Sequence, residues 1–332
     1  MWEQIKSNRM RSAVLVIFMC LLLLGLGCML GIFFMDSVIG GLAIAAVIWA
    51  VMSLVAFFQG DNILLSISGA RKISKSDDPQ LHNIVEEMTI ASGLPKIPDV
   101  YIVNDASLNA FATGRNPNKA AVTVTSGLRA ALNRDELQGV VAHEISHVKN
   151  RDVLLMTISS VMLGAIVIIS WYATRIMFWG GGQRSSNRNS GGLQIILLIV
   201  GLVLMILAPL FAQLIYFAIS RKREYLADAS AALYTRYPEG LASALEKLGN
   251  STKQVKSANK ATAPMYIINP FAKRSAISNW MSTHPPIAER ARILRTMAGN
   301  SFADYENAYE KMHNGKGVMP KSALDKQQSV WE

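Results

Sequence analysis

Two long apolar runs near the N-terminus constrain the fold of this chain more than any other feature. The first covers about 13–34 and the second about 38–58, and neither contains a charged residue. Each reaches the roughly 20 residues that an α-helix needs to cross a hydrocarbon core of about 30 Å. Only a short turn separates them, so we expect a helical hairpin that stays in the membrane rather than a cleaved signal peptide.

Two further apolar runs lie in the middle of the chain, at about 153–175 and 193–219. A polar connector rich in glycine, serine and asparagine separates them, which favours a second hairpin that crosses the bilayer or dips into it. Charged residues make up only 17% of the chain. A typical soluble domain has about 25%, so the composition also indicates a membrane protein.

Basic residues flank these four runs on one side of the predicted topology. They are Lys6, Arg9 and Arg11 before the first run, Arg71, Lys72 and Lys75 after the second, Lys149 and Arg151 before the third, and Arg221, Lys222 and Arg223 after the fourth. The positive-inside rule therefore predicts a multi-pass protein with both termini and residues 60–152 in the cytoplasm. This topology explains much of the net charge of +10. No nucleic-acid-binding motif accompanies it, and we expect no nucleic-acid partner.

The parts outside the membrane predict an α+β fold. Capping residues and β-branched runs predict a helix that begins at Asp78 and ends at Gly93, strands at 100–103 and 120–125, and a third strand at 109–113 near an edge. The predicted organisation is a transmembrane hairpin at 1–59, a first part outside the membrane at 60–152, a membrane hairpin at 153–219, a second part outside the membrane at 220–300 and a C-terminal tail at 301–332. About the last 20 residues of the tail are polar and are expected to be partly disordered.

A predicted helix that Asn133 caps carries the sequence His143-Glu144-Ile145-Ser146-His147, which is an H-E-x-x-H motif. Two histidines at i and i+4 project from one helical face, so both imidazoles can reach one metal ion. Glu144 is displaced around the helix and is placed to take a proton from water rather than to bind the metal. The motif therefore predicts metal-dependent hydrolysis, with two helix histidines of no special role as the alternative.

A catalytic zinc needs a third protein ligand, and Glu224 is the best candidate for it. Glu224 follows the fourth apolar run, and because the third and fourth runs form a hairpin it returns to the side where His143 lies. Asp228 stands one turn further on and could accept a hydrogen bond from a ligand histidine. The alternative for Glu224 is a solvated carboxylate between basic neighbours.

These segments together resemble a known family. His143 to His147, the stretch Arg223-Glu224-Tyr225-Leu226-Ala227-Asp228, and Thr283-His284-Pro285-Pro286 are similar to the motifs of HtpX-type bacterial membrane zinc endopeptidases. That family is related to the CAAX prenyl protease and to the mitochondrial Oma-type metallopeptidases. The resemblance implies a gluzincin-like fold with one zinc ion on His143, His147 and Glu224. It also implies a site that faces the cytoplasm from the bacterial inner membrane, and substrates that are misfolded or damaged membrane proteins.

The resemblance assigns two further elements. Asn109, Ala110, Phe111 and Ala112 match an edge strand that would align an extended substrate by backbone pairing, and a strand that merely needs small residues is the alternative. His284 would lie near the metal and stabilise the oxyanion, and an imidazole that packs or caps the final helix is the alternative.

Three functional classes fit a membrane protein with this motif. A zinc endopeptidase is the leading hypothesis, because Glu144 supplies a base that metal binding alone does not need. A non-catalytic metal-binding scaffold or chaperone-like binder is the alternative. A transporter is disfavoured because the apolar runs contain almost no ionisable residues.

Overall fold

The structure is a computed structural model that describes residues 2–158, 160–161, 171, 175, 221–251, 266–267 and 285–328. Its strands are β1 (Ala70–Lys72), β2 (Asp99–Val103), β3 (Ala110–Asn116) and β4 (Lys119–Thr125). Its helices are α1 (Trp2–Met35), α2 (Val38–Ile67), α3 (Pro79–Ser92), α4 (Ser126–Ala131), α5 (Arg134–Lys149), α6 (152–158, with 160–161), α7 (221–235), α8 (Pro238–Asn250), α9 (Ile287–Arg295), α10 (Phe302–Met312) and α11 (Lys321–Gln328). The predicted mixture of helices and strands is confirmed.

Helices α1 and α2 form an antiparallel pair at the N-terminal end. Their backbones touch, since a Cβ on Gly41 would lie 2.1 Å from the carbonyl oxygen of Gly27, and such close approach is typical of helices packed within a bilayer. Among the described helices, α2 is the one with the length and apolar composition to cross a membrane, and α1 contains a shorter apolar stretch, Val16–Cys28. Large apolar side chains are exposed along both helices, as a lipid-facing surface requires.

The second predicted hairpin lies largely outside the described residues, including all of 193–219. The described part of α6 packs against α2, where a Cβ on Gly60 would come within 2.7 Å of the Thr157 methyl group. The third apolar run therefore starts beside the second one.

The four strands form one sheet in the order β1-β2-β4-β3. Strands β2 and β4 are parallel, and the other two pairings are antiparallel. Strand β3 lies at one edge, as its sequence predicts. Helices α3 and α5 cover one face of the sheet. The main core lies between these helices and the sheet, with side chains from Ile84, Val122, Val140 and Ile145.

Part of the predicted C-terminal tail, residues 302–312, forms helix α10 and packs against the core. Helix α10 begins at a capping box formed by Ser301 and Asp304. Phe302, Tyr305 and Ala308 are buried in the main core at the spacing of one helical face. The polar residues of this region occupy the opposite, solvated face, so the composition concealed an amphipathic helix.

Candidate metal centre

Helix α5 is a buried scaffold that carries the H-E-x-x-H motif. It begins at a capping box in which Asn133 and Glu136 each accept a hydrogen bond from the other's backbone N–H group, both at 2.9 Å. The helix is buried along nearly its whole length, from Glu136 to Val148. Gly139 lets helix α8 approach closely, because a Cβ there would lie 2.7 Å from the backbone nitrogen of Leu241. The motif therefore sits on a rigid, internal element.

His143 and His147 point their imidazoles at one place. Their Nε2 atoms are 3.3 Å apart, and both side chains are almost fully buried. This is the geometry expected for residues one turn apart on one helical face.

Glu224 joins the two histidines from helix α7. Its Oε2 lies 3.7 Å from Nε2 of His143 and its Oε1 lies 3.5 Å from Nε2 of His147. One ligand atom from each of the three residues lies within 4.8 Å of the others. The structure thus brings together the three residues that the sequence proposed as ligands, although 77 positions separate Glu224 from His147 in the chain.

The outer nitrogen of each imidazole meets a buried carboxylate. His143 Nδ1 lies 3.0 Å from Oδ1 of Asp228, and His147 Nδ1 lies 3.0 Å from Oδ2 of Asp152. A neutral histidine that donates its Nδ1–H to a carboxylate keeps its Nε2 lone pair for a metal. Both carboxylates therefore favour the tautomer in which the two Nε2 atoms can bind one ion.

Asp152 was missed by the sequence reasoning. Helix α5 ends at Lys149, and Arg151 takes a left-handed conformation with φ of 60°, so that α6 can begin at once. This turn brings Asp152 back to His147. Arg223 lies on the other side of Asp152, with Nη1 at 3.8 Å from Oδ1, and its side chain is buried. It therefore does not act as an exposed positive-inside charge.

Arg290 was also missed, and it is the largest fully buried side chain of the described residues. It lies in helix α9, which begins after Pro285 and Pro286. Its Nε and Nη2 donate to the two oxygens of Asp228 at 2.8 and 2.7 Å, and its Nη1 lies 3.5 Å from Oε2 of Glu224. Planar bidentate pairing of this kind is among the strongest charge-assisted contacts in proteins. Arg290 therefore fixes the carboxylate that orients His143.

Glu144 is buried beside the two histidines. Its Oε2 has no hydrogen-bond partner among the described residues. A buried carboxylate oxygen without a partner is costly, unless a reactant occupies the space in front of it. Burial raises the pKa of Glu144 above its ordinary value, against the opposing influence of His143 and His147. A raised pKa suits a carboxylate that accepts and returns a proton near neutral pH.

The ionisation of the cluster depends on its buried charges. Burial acts to lower the pKa of His143, but hydrogen bonds to Asp228 and Glu224 outweigh it and raise that pKa to about 9. Burial acts to raise the pKa of Asp228, but the charge of Arg290 outweighs it and holds that pKa below its usual range. Without a metal, His143 is therefore a positively charged imidazolium at neutral pH, with both ring nitrogens protonated. A metal that binds Nε2 must displace the proton there.

The donor set suits a catalytic zinc ion. Two imidazole nitrogens and one carboxylate are a common set for such a site, with a fourth position left for water or substrate. Glu144 lies beside the two histidines, so its unpartnered oxygen could act as the base for a water that such an ion would hold. The residues present thus fit the metal that the sequence predicts.

The predicted substrate strand lies at the sheet edge. Ala110, Phe111 and Ala112 belong to β3, and Asn109 immediately precedes it, with Oδ1 accepting from the N–H of Ala110 at 3.1 Å. His284 lies outside the described residues, so its predicted oxyanion role stays a prediction.

Comparisons with known proteins identify relatives of this chain along most of its length. The family model of Peptidase family M48 matches residues 75–298, a range that contains both halves of the cluster. A relative from Dictyoglomus turgidum named Protease HtpX homolog is 46% identical over 296 residues, covering 89% of this chain and 94% of the relative. A relative of the same name from Streptococcus gordonii is 42% identical over 298 residues, covering 90% of this chain and all of the relative.

A solved structure of S. mikatae Ste24p has a TM-score of 0.46 and 21% identity, covering 88% of this chain and 66% of that one. This likeness is too weak to bear on function. The close relatives confirm the predicted membrane-bound peptidase of the HtpX type, and they do not favour a non-catalytic scaffold. On the strength of the family match and of these relatives, the chain belongs to Peptidase family M48.

Proposed function

We propose that this chain is a zinc-dependent endopeptidase in which His143, His147 and Glu224 hold one zinc ion and Glu144 is the general base. The observation that carries this proposal is the convergence of the three ligand atoms within 4.8 Å, beside an unpartnered oxygen of Glu144. When bound, zinc supplies Lewis acidity, which polarises a peptide carbonyl and lowers the pKa of water.

The protein's own residues carry the remaining steps. Glu144 accepts a proton from the attacking water at Oε2 and then donates it to the amine nitrogen that leaves. Asp228 and Asp152 hold the two imidazoles in one orientation throughout. Helices α5 and α7 exclude bulk water, because the side chains of His143 and Glu224 are almost fully buried, and this strengthens every electrostatic contact in the site.

A cleavage assay tests this proposal. Purified protein in detergent is freed of metal, and casein cleavage is followed with and without added zinc, beside a Glu144→Gln variant. We expect zinc to restore cleavage to the wild type alone, while both proteins bind about one zinc. Equal cleavage by the variant would remove Glu144 from its role, and zinc binding without any cleavage by either protein would favour the scaffold.

The oxyanion role of His284 is a separate part of the proposal. Loss of an oxyanion-hole donor typically lowers kcat by about 10²- to 10³-fold without loss of the metal. We expect this for His284→Ala, with zinc content unchanged. A variant that cleaves at the wild-type rate would show that His284 only packs against or caps the final helix.

The membrane arrangement also stays a proposal beyond the apolar helices α1 and α2. We infer a multi-pass protein of the bacterial inner membrane, with the catalytic parts at 60–152 and 220–300 in the cytoplasm and the hairpins at 1–59 and 153–219 in the bilayer. Single cysteines introduced into the 180–192 connector test it with a membrane-impermeant thiol reagent on intact spheroplasts. Labelling is expected if both middle runs cross, and absence of labelling is expected if the hairpin only dips.

The natural substrates are proposed to be misfolded or damaged membrane proteins. A cytoplasmic site that lies next to membrane-inserted helices can reach segments of substrate proteins that emerge from the bilayer. Comparison of membrane proteomes from cells with wild-type protein and with Glu144→Gln tests this. Truncated membrane proteins should be depleted in the variant, and depletion confined to soluble proteins would contradict the assignment.

A further inference from the structure

The outer side of the edge strand β3 is already paired at one point. The carbonyl of Asn109 accepts a hydrogen bond from Thr125 of β4, so in an alternating strand the next carbonyl, that of Ala110, faces the opposite, open side. The backbone N–H of Ile267 donates to that Ala110 oxygen at 2.9 Å. Ile267 thus makes the contact through which an added strand joins a sheet edge.

The backbone carbonyl of Ile267 also has a partner, the side chain of Arg290. Nη1 of Arg290 donates to it at 3.3 Å, and the same nitrogen lies 3.5 Å from Oε2 of Glu224. One guanidinium group therefore connects the backbone of Ile267 to a proposed metal ligand. An extended peptide at this site would need the same two contacts, an acceptor for its N–H group and a donor for its carbonyl.

The side chain of Tyr266 occupies an aromatic site beside β3. Its ring packs edge to face on Phe111 with centroids 5.1 Å apart, and it shares a buried cluster with Leu64 and Leu65 at the end of α2. Both Tyr266 and Ile267 are 1% exposed. The Tyr266 hydroxyl, however, has no hydrogen-bond partner among the described residues. A buried hydroxyl without a hydrogen-bond partner costs free energy. The aromatic ring of Tyr266 therefore favours this site, and its hydroxyl opposes binding there.

We propose that Tyr266 and Ile267 occupy the peptide-binding track of this enzyme as an internal pseudosubstrate. The track runs along Ala110 and Phe111 to Arg290, and it takes extended peptides in which an aromatic residue is followed by an aliphatic one. This inference rests on the proposed peptidase function. A substrate must displace the internal pair, so the apparent affinity for peptide is reduced by the fraction of molecules in which the track is open.

Peptide binding to an inactive background tests the proposal without any cleavage. The probe is a short fluorescein-labelled peptide with Tyr-Ile at its centre, and its binding to zinc-loaded, full-length Glu144→Gln protein is measured by fluorescence anisotropy. Addition of Tyr266→Ala and Ile267→Ala removes the two side chains that hold the internal pair in place, so the track should be open in more molecules and Kd should fall about tenfold. A probe with Gly-Asp in place of Tyr-Ile should bind at least about tenfold more weakly. Equal Kd values for the two probes would overturn the assigned substrate class.

The chain offers a matched control. Tyr101 and Ile102 are the same pair of residue types in the same order, but they lie in β2, which pairs with β1 and β4 and not with β3. Tyr101 packs against the same buried cluster as Tyr266, so its loss loosens that cluster without removing a residue from the edge of β3. Tyr101→Ala with Ile102→Ala should leave Kd unchanged, whereas a general loosening of the fold would change both variants alike. Zinc content and unfolding temperature show whether each variant is folded.

A second variant tests the proposal in the opposite direction and keeps the fold. Tyr266→Phe removes only the unpartnered hydroxyl, so the internal pair should bind its track more tightly and Kd for the probe should rise about fivefold. An unchanged Kd in Tyr266→Phe, or in a folded Tyr266→Ala Ile267→Ala protein, would overturn the proposal. Failure of casein cleavage, by contrast, would count against the peptidase function and leave these Kd values unaffected.

Discussion

The two histidines of the cluster are anchored in different ways. On the His143 side, Asp228 is locked by two hydrogen bonds from Arg290, all within helices of the main core. On the His147 side, Asp152 begins α6, the helix that leads into the third apolar run, and the contact from Arg223 is longer, at 3.8 Å. The first anchor is therefore part of the folded core, and the second links the metal centre to the start of the third apolar run. The difference predicts that changes on the His143 side affect folding and metal together, while changes on the His147 side affect mainly the metal.

The largest effect is expected from Arg290→Met. The substitution keeps much of the volume but leaves the buried charge of Asp228 without its partner, which typically costs about 3–5 kcal/mol. For a domain of this size the unfolding temperature should fall by roughly 10 °C, measured by circular dichroism on detergent-solubilised protein.

Arg295→Met is the matched control on the same helix. Arg295 pairs with Glu246 and Glu239 at the surface, where its side chain is 41% exposed, so its removal should cost less than about 1 kcal/mol. Equal losses in the two variants would show that the Arg290 pair is not a core anchor.

Asp228→Asn should weaken zinc binding about 10- to 100-fold, because the amide no longer orients His143 as a carboxylate does. It also leaves Arg290 with less of its counter-charge, so the unfolding temperature should fall as well. Competition with a chromophoric chelator gives the affinity. An unchanged affinity would mean that Asp228 does not orient a ligand.

Asp152→Asn should also weaken zinc binding, by about tenfold, but with a smaller fall in unfolding temperature than Asp228→Asn. The physical reason is that the contact from Arg223 is long and contributes less than the bidentate pair of Arg290. The same two assays measure both effects. If Asp152→Asn proved the more destabilising, the assignment of the core anchor would be reversed.

A pH dependence is also expected on the His143 side. The pKa of His143 is raised to about 9 from 6.5, so its proton stabilises the metal-free fold fully below pH 6.5, and that stability is lost as pH rises through 9. The raised pKa of Glu144 acts in the same direction. The unfolding temperature of metal-free protein should therefore fall across this window, by up to roughly 10 °C if the whole shift is lost.

Variants separate the two anchors in this pH experiment. The slope should flatten in Asp228→Asn, which removes the main hydrogen bond that raises the pKa of His143. It should persist in Asp152→Asn, because Asp152 contacts His147 instead. If the dependence of unfolding temperature on pH disappeared in both variants, the proton would be shared by the whole cluster and not bound by His143 alone.

Sequence reasoning succeeded where the relevant geometry is local. The i, i+4 spacing of His143 and His147, the capping box at Asn133 and the Gly93 helix end follow from a few neighbouring residues. The meeting of Glu224 with the two histidines was predicted from topology, because the intervening hairpin returns the chain to the same side.

Sequence reasoning failed where a contact depends on the tertiary fold. Asp152 reaches His147 only because Arg151 adopts a left-handed turn, and that conformation has no clear sequence signal. Arg290 resembles a surface residue between Glu289 and Ala291, and its partner Asp228 lies 62 positions away. A charged residue on the apolar face of α9, in phase with Ile293 and Leu294, is the signal that could have revealed it.

The central claim is that two buried glutamates have different roles, one binding metal and the other moving a proton. Zinc stoichiometry and affinity of Glu224→Gln and Glu144→Gln test it most directly, since the two substitutions make the same chemical change within one buried cluster. We predict that Glu144→Gln retains about one zinc with near wild-type affinity and cleaves no casein, while Glu224→Gln loses zinc at least about tenfold more readily. Equal zinc binding in the two variants, or loss of zinc from Glu144→Gln alone, would contradict the assignment.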